Sequence, residues 1–242
     1  MNRNPKIKAI FFDIGGVLVK VDSSESIQKL SHKLEVSPEK IRQGMTRELL
    51  CEYEKGHMTT NQFYELLFIN YGSEKTMEIE VFKSYWLDTL FPHPESVDFL
   101  QRVNKDYPVW LLSNTNEFHY DLLMRDFPFM KWVEGGTYSF MVGSMKPDPP
   151  IYEVAIKKSG FRPEEILFID DLEANVQAAH DQGINIIHYV DYPRFGKELG
   201  QRFPELEYLL WDFLKQSWPL SSYWFFSIYW TTARAVYLHW EN

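Results

Sequence analysis

Residues 8–16 read Lys8-Ala9-Ile10-Phe11-Phe12-Asp13-Ile14-Gly15-Gly16. A short apolar run halted by an acid and two glycines is the pattern of a strand buried on both faces. The glycines let the backbone turn sharply and approach a ligand, which puts Asp13 at the carboxyl end of a strand. The pattern recurs downstream. Residues 109–112 run into Ser113-Asn114-Thr115-Asn116, and residues 166–169 into Asp170-Asp171. Residues 138–142 and 184–189 read as two further strands, and a helix over 173–182 closes at Gly183. Strands alternating with helices argue an α/β fold, a parallel sheet with helices on both faces. Such a sheet holds its ligand beyond the carboxyl ends of its strands. Asp13, Ser113 and Asp170-Asp171 are therefore expected to meet in one crevice.

Working outward, the stretch from Ser23 to about Leu90 carries no strand-like alternation and reads as helical. Ser37-Pro38-Glu39 supplies an N-cap, a first-turn proline and an acid suited to the helix dipole. Thr59 with Gln62 fits a capping box, and Gly72 a stop. The expected organisation is a core from residues 1–22 and 91–215, a helical unit over 23–90, and a tail over 216–242.

The formal net charge of −9, with Lys and Arg scattered, argues against nucleic acid as a partner. The single cysteine, Cys51, excludes an internal disulfide framework and points to a reducing, cytoplasmic setting. The first apolar run is too short for a secretory signal. The tail holds four of the eight tryptophans, yet Pro219, Ser221, Ser222 and Arg234 interrupt any spanning pattern. It can be read as docking on the body, as touching a membrane interface, or as foreign to the functional unit; docked on an apolar face it could also mediate self-association.

Each candidate residue has a plain reading beside its chemical one. Asp13 could act as a covalent nucleophile or as an ordinary turn residue. Ser113 and Asn114 could hold phosphate oxygens at a helix start or merely cap it. Lys146, before Pro147, could be a point charge for a transferring group or a solvated loop residue. Asp170-Asp171 is harder to explain without a ligand, because adjacent carboxylates repel unless a cation relieves them. Hard oxygen donors suit Mg²⁺, and Asn175 lies one turn on, placed to orient them. His119 reads as a solvated helix-face residue, and Cys51 as a small, partly buried hydrophobe. Phe63, Tyr64, Phe68, Tyr85 and Trp86 read as core of the helical unit.

Taken together, four segments resemble the four motifs of the haloacid dehalogenase superfamily, in order and spacing. They are Phe11 to Val19, Leu111 to Asn116, Gly143 to Pro147, and Leu167 to Asn175. The resemblance covers residues 6–190, and the segment from Tyr53 to Phe63 looks like part of the helical cap that one branch inserts between the first two motifs. The run Ser113-Asn114-Thr115-Asn116-Glu117-Phe118-His119 looks closest to members acting on sugar phosphates.

The resemblance implies a Rossmann-like core with an inserted all-helical cap, and a Mg²⁺-dependent phosphohydrolase acting on a small phosphorylated metabolite. By position it makes Asp13 the nucleophile and Lys146 the residue steadying it. Ser113 and Asn114, with the Gly15 and Gly16 backbone, would hold the phosphate. Asp13, the Gly15 carbonyl and Asp171 would bind the metal, with Asp170 as ligand or support. The departure is Gly15, where family phosphatases usually carry an aspartate that protonates the leaving group. Asp22 is the first candidate to replace it, with His57 and Glu54 behind. A substrate whose leaving group needs little help is a second outcome, and a catalytically silent module binding phosphorylated ligands a third. Dehalogenation ranks below these, because those relatives work without metal.

Overall fold

The computed structural model of the chain describes residues 6–86 and 89–210; the segment 216–242, with the readings offered for it, lies outside the described residues. At the centre is β1 (Ala9–Phe12), fully buried. Ile10 and Phe12 face one core cluster, and Ala9 and Phe11 the other. This double burial explains the unbroken apolar run. Parallel to it lie β4 (Val109–Ser113) and β6 (Ile166–Asp170), with Ile10 opposite Val109 and Phe12 opposite Ile169. Two outer strands, β5 (Gly135–Tyr138) and β7 (Asn185–His188), complete a parallel sheet of order β5-β4-β1-β6-β7.

Helices cover both faces. Against Ile10 and Phe12 pack α6 (Pro94–Val103), α7 (Glu117–Asp126) and α11 (Tyr192–Arg202), through Phe99, Leu122 and Phe195. Against Ala9 and Phe11 pack α9 (Pro149–Ser159) and α10 (Glu173–Asp181), through Ile151, Tyr152 and Ala179. Each large apolar side chain buried here contributes about 1.5–3 kcal/mol, enough in sum to hold the strand ends in a fixed array.

The chain leaves this body through β2 (Val19–Val21) and returns through β3 (Leu90–Pro92), which pair antiparallel as a two-stranded ribbon. Between them lie α1 (Ser24–Leu34), α2 (Pro38–Gly44), α3 (Arg47–Glu54), α4 (Thr60–Tyr71) and α5 (Ile79–Trp86). These helices share a core of their own, including Leu30, Ile41, Phe63, Leu67, Tyr71 and Phe82. Local signals set their limits: Ser37 Oγ accepts from Lys40 N, the Thr59/Gln62 capping box forms, and Gly72 ends α4 at φ +55°. No helix among the described residues is long and apolar enough to cross a membrane.

Residues 138–142 depart from the strand expected of them. The strand ends at Tyr138, and Ser139–Val142 forms the short helix α8, closed by Gly143. It begins instead at Gly135-Gly136, where glycine is a packing requirement. A Cβ at Gly135 would lie 2.6 Å from the Trp110 ring on β4, and one at Gly136 2.4 Å from the Tyr138 hydroxyl. The β2–β3 ribbon is a second feature absent from the sequence reading, being too short to show alternation.

Candidate active site

The carboxyl ends of β1, β4 and β6 converge as the strand pattern requires. Asp13 follows β1, Ser113 ends β4, and Asp170 ends β6; all three are buried. Lys146 joins them from the loop between α8 and α9. Its side chain is fully buried, with Nζ 2.9 Å from Asp13 Oδ1, 2.6 Å from Asp170 Oδ2 and 2.9 Å from the Leu112 carbonyl oxygen. A buried ammonium is tolerated only when paired and hydrogen-bonded, and three oxygens meet that need. Burial opposes its charge, but Asp13 and Asp170 outweigh that and hold its pKa above the ordinary value.

Each partner is held in turn. Asn175 Nδ2 donates to both oxygens of Asp170, at 3.0 and 3.1 Å, and Leu172 N donates to Oδ1 at 2.8 Å. Asp13 Oδ1 also accepts from Ile14 N at 2.7 Å. The Asn114 side chain both donates to the Lys146 carbonyl and accepts from Lys146 N, at 2.9 and 2.8 Å. Ser139, at the start of α8, donates to Thr115 O and accepts from Thr115 N, each at 2.9 Å. Thr115 and Ser139 escaped the sequence reading because nothing local marks this pairing across 24 positions.

Asp13, Asp170 and Asp171 place carboxylate oxygens within 4.8 Å of one another. Asp170 has both oxygens in bonds to Lys146, Asn175 and Leu172 N, and Asp13 has Oδ1 in bonds to Lys146 and Ile14 N, so Asp13 Oδ2 and the Asp171 carboxylate are the oxygens least engaged by donors among the described residues. Gly16, at φ +77°, lies so close that a Cβ there would be 2.2 Å from the Asp171 carboxyl. The cluster thus has the hard donor set and tight backbone approach that suit Mg²⁺. With protein groups alone, burial pushes Asp13 up to about 7, Lys146 pulling down and Asp170 pushing up. Burial, then Asp170, also raises Asp171; a cation would relieve both.

The other sequence candidates lie apart. Asp22, at the β2–α1 junction, accepts from Ser24 N at 3.1 Å and from Lys20 Nζ at 3.2 Å; with these bonds it sits at about 2. His57 pairs with Glu52 at 2.8 Å and lines a cleft of about 270 Å³ with Tyr53, Gln62, Glu117 and Phe140. None of the three clustered aspartates lines that cleft. Gly15 has room: a Cβ there would meet only Val21, 3.8 Å away. His119 is not the solvated residue its spacing suggested. Its Nε2 is buried without a partner among the described residues, the ring faces Trp86 and Phe118, and burial lowers its pKa to about 4.

The sequence and the fold have counterparts. Residues 7–183 match the family of haloacid dehalogenase-like (HAD-like) hydrolases. A D-ribitol-5-phosphate phosphatase of Bacteroides thetaiotaomicron is 30% identical over 187 residues, 73% of this chain and 89% of its own. A HAD family enzyme of that organism, solved with magnesium and inorganic phosphate, superposes with a TM-score of 0.69 at 25% identity, covering 78% of this chain and 98% of its own. A HAD-like family hydrolase from Porphyromonas gingivalis gives a TM-score of 0.67 at 29% identity, over 81% and 98% of the two chains. The chain belongs to the haloacid dehalogenase-like hydrolases. Within them it is an enzyme of the phosphatase kind.

Proposed function

We propose that the chain hydrolyses a small phosphate monoester, of the polyol or sugar phosphate type, through an aspartyl-phosphate on Asp13. The observation that carries this reading is Lys146, which ties Asp13 and Asp170 together at 2.9 and 2.6 Å beneath a carboxylate cluster. The 30% identical relative that acts on D-ribitol 5-phosphate supports the substrate class. Mg²⁺ is the cofactor, held by Asp13, Asp171 and the Gly15 carbonyl; it supplies the positive charge that lets an anionic nucleophile meet an anionic substrate.

Asp13 attacks phosphorus in line with the leaving oxygen, and Lys146 balances the charge gathering on the phosphoryl oxygens. The Ser113 hydroxyl and the backbone at Asn114 and Gly16 hold those oxygens. The Asn114 side chain acts indirectly, by fixing the Lys146 backbone. Asp170 keeps the lysine charged and placed. The helices α1–α5 serve as a cap that shields the reaction from water and selects the substrate. A cytoplasmic setting belongs to this reading and rests on the single thiol, Cys51.

A second reading, a silent module that binds phosphorylated ligands, is favoured by Gly15 alone. Turnover of a panel of phosphate monoesters with and without Mg²⁺ tests the choice. Mg²⁺-dependent release of phosphate, abolished in Asp13→Asn, is expected. Activity indifferent to that substitution would remove Asp13 as nucleophile, and no turnover on any monoester would favour the silent module.

A further inference from the structure

Gly15 leaves the reaction without its usual proton carrier, yet the fold leaves space there, since a Cβ would meet only Val21. A carboxyl from elsewhere could therefore serve. Asp22 is poorly suited: bonded to Ser24 and Lys20, it sits at about 2 and carries no proton near neutrality. His57 is engaged with Glu52 in the outer cleft.

Glu54 is differently placed. It is the last residue of α3, and the chain on both sides of it is anchored. Tyr53 is buried, its ring stacked on Phe63 and its hydroxyl 2.9 Å from Thr60 Oγ1. Two residues beyond, Gly56 lies against the Phe140 carbonyl, where a Cβ would approach to 2.2 Å. Phe140 belongs to α8, whose Ser139 holds Thr115, so the end of α3 is referenced to the loop after β4.

The Glu54 side chain is partly buried and makes no hydrogen bond or ion pair among the described residues. Among the described residues, the charge that acts on it is Lys146, the ammonium bonded to Asp13. An unpartnered carboxyl, withdrawn from water and within reach of that lysine's field, has no structural task to explain it. Burial raises its pKa above the ordinary carboxylate range, with Lys146 pulling the other way. That direction lets it keep its proton to higher pH than an exposed carboxylate does, as a general acid requires.

We propose that Glu54 is the general acid and base of the reaction, supplied from the helical insertion in place of the residue missing at Gly15. This rests on the phosphohydrolase reading above. In the first step an Asp13 oxygen bonds to phosphorus and the bond from phosphorus to the leaving oxygen breaks. The Glu54 carboxyl gives its proton to that oxygen, so an alcohol departs and Glu54 becomes a carboxylate. In the second step Glu54 takes a proton from water while the water oxygen bonds to phosphorus. The bond from phosphorus to Asp13 breaks, inorganic phosphate leaves, and both residues regain their starting states.

The test compares the full chain with Glu54→Gln and Asp13→Asn, with Mg²⁺, on p-nitrophenyl phosphate and on an alkyl phosphate. Circular dichroism confirms that each variant is folded. Glu54→Gln should lower kcat for the alkyl ester by about 10²–10⁴-fold, the usual worth of general acid–base catalysis. On p-nitrophenyl phosphate, whose leaving group needs no proton, it should give a burst of nitrophenolate followed by slow turnover. Intact mass should then show phosphoenzyme accumulating. A residue that only supports the fold or binds substrate would slow both esters alike, without a burst, and that result overturns the role. So does a variant with wild-type rates on both. A wild-type chain that turns over neither ester overturns the phosphohydrolase reading, and the role of Glu54 with it.

Discussion

Lys146 Nζ lies 2.6 Å from Asp170 Oδ2, with neither side chain exposed. A second carboxylate, Asp13, accepts from the same ammonium at 2.9 Å. The lysine therefore links the end of β6 to Asp13 after β1. Removing one member of a buried pair strands the other, which costs about 3–5 kcal/mol. Lys146→Met is expected to lose stability of that order by urea denaturation, and to lose turnover as well. Asp170→Asn should be milder for the fold, since Asn175 and Leu172 N remain as neighbours, but should still lower turnover through the misplaced lysine.

Gly15 and Gly16, just past Asp13, should respond oppositely to the same change. At Gly16 a Cβ would collide with the Asp171 carboxyl at 2.2 Å, and φ is +77°. Gly16→Ala is expected to cost about 1–3 kcal/mol in backbone strain and to weaken Mg²⁺ binding by displacing Asp171. At Gly15 a Cβ has 3.8 Å of clearance, so Gly15→Ala should fold and bind Mg²⁺ like the parent chain. Isothermal titration with Mg²⁺ on the two variants makes the comparison.

Phe63 is buried at the centre of the insertion, stacked on Tyr53 with ring centroids 4.2 Å apart and edge-on to Trp86 at 5.5 Å. Phe63→Ala is expected to cost about 3–5 kcal/mol, read by thermal or chemical unfolding. Because Tyr53 adjoins Glu54, turnover should fall too, even under conditions where circular dichroism shows the parallel sheet intact.

His119 should make stability depend on pH in the acid range. Burial lowers its pKa from 6.5 to about 4. Between those values the unfolded chain binds the proton more readily than the folded one, so stability rises with pH across that window. The contribution is complete above about pH 6.5 and is lost as pH falls through 4. Melting temperatures measured between pH 4 and 7 should show a shallower slope in His119→Asn than in the parent chain. An NMR titration should find the His119 ring neutral at pH 5.

The positions of strands β1, β4, β6 and β7 were legible because each is a local apolar run, and a strand buried on both faces needs no partner information to be seen. Asp13, Ser113 and Asp170-Asp171 were legible for a related reason, as polar residues that halt those runs. Strand β5 was not, because Gly135-Gly136 reads as a loop until the Trp110 ring is known to lie over it. Asn114 and Asn175 were visible as candidates, but their tasks were not. Only the folded chain shows one bonded to the Lys146 backbone and the other to both oxygens of Asp170.

By itself, then, the sequence determined the parallel α/β core, the four ordered motifs and the aspartates that meet at the strand ends. These follow from short-range patterns, and a parallel sheet has one edge on which strand ends can gather. The tertiary structure alone distinguishes the groups that could replace the acid missing at Gly15. Along the sequence Asp22 stands first among the candidates, with His57 and Glu54 behind it. The fold separates them: Asp22 stays with Lys20 at the β2–α1 junction, His57 turns to Glu52, and the Glu54 carboxyl is partly buried with no hydrogen bond or ion pair among the described residues. The reason is physical, because desolvation and electrostatic reach depend on distances across the fold and not on spacing along the chain.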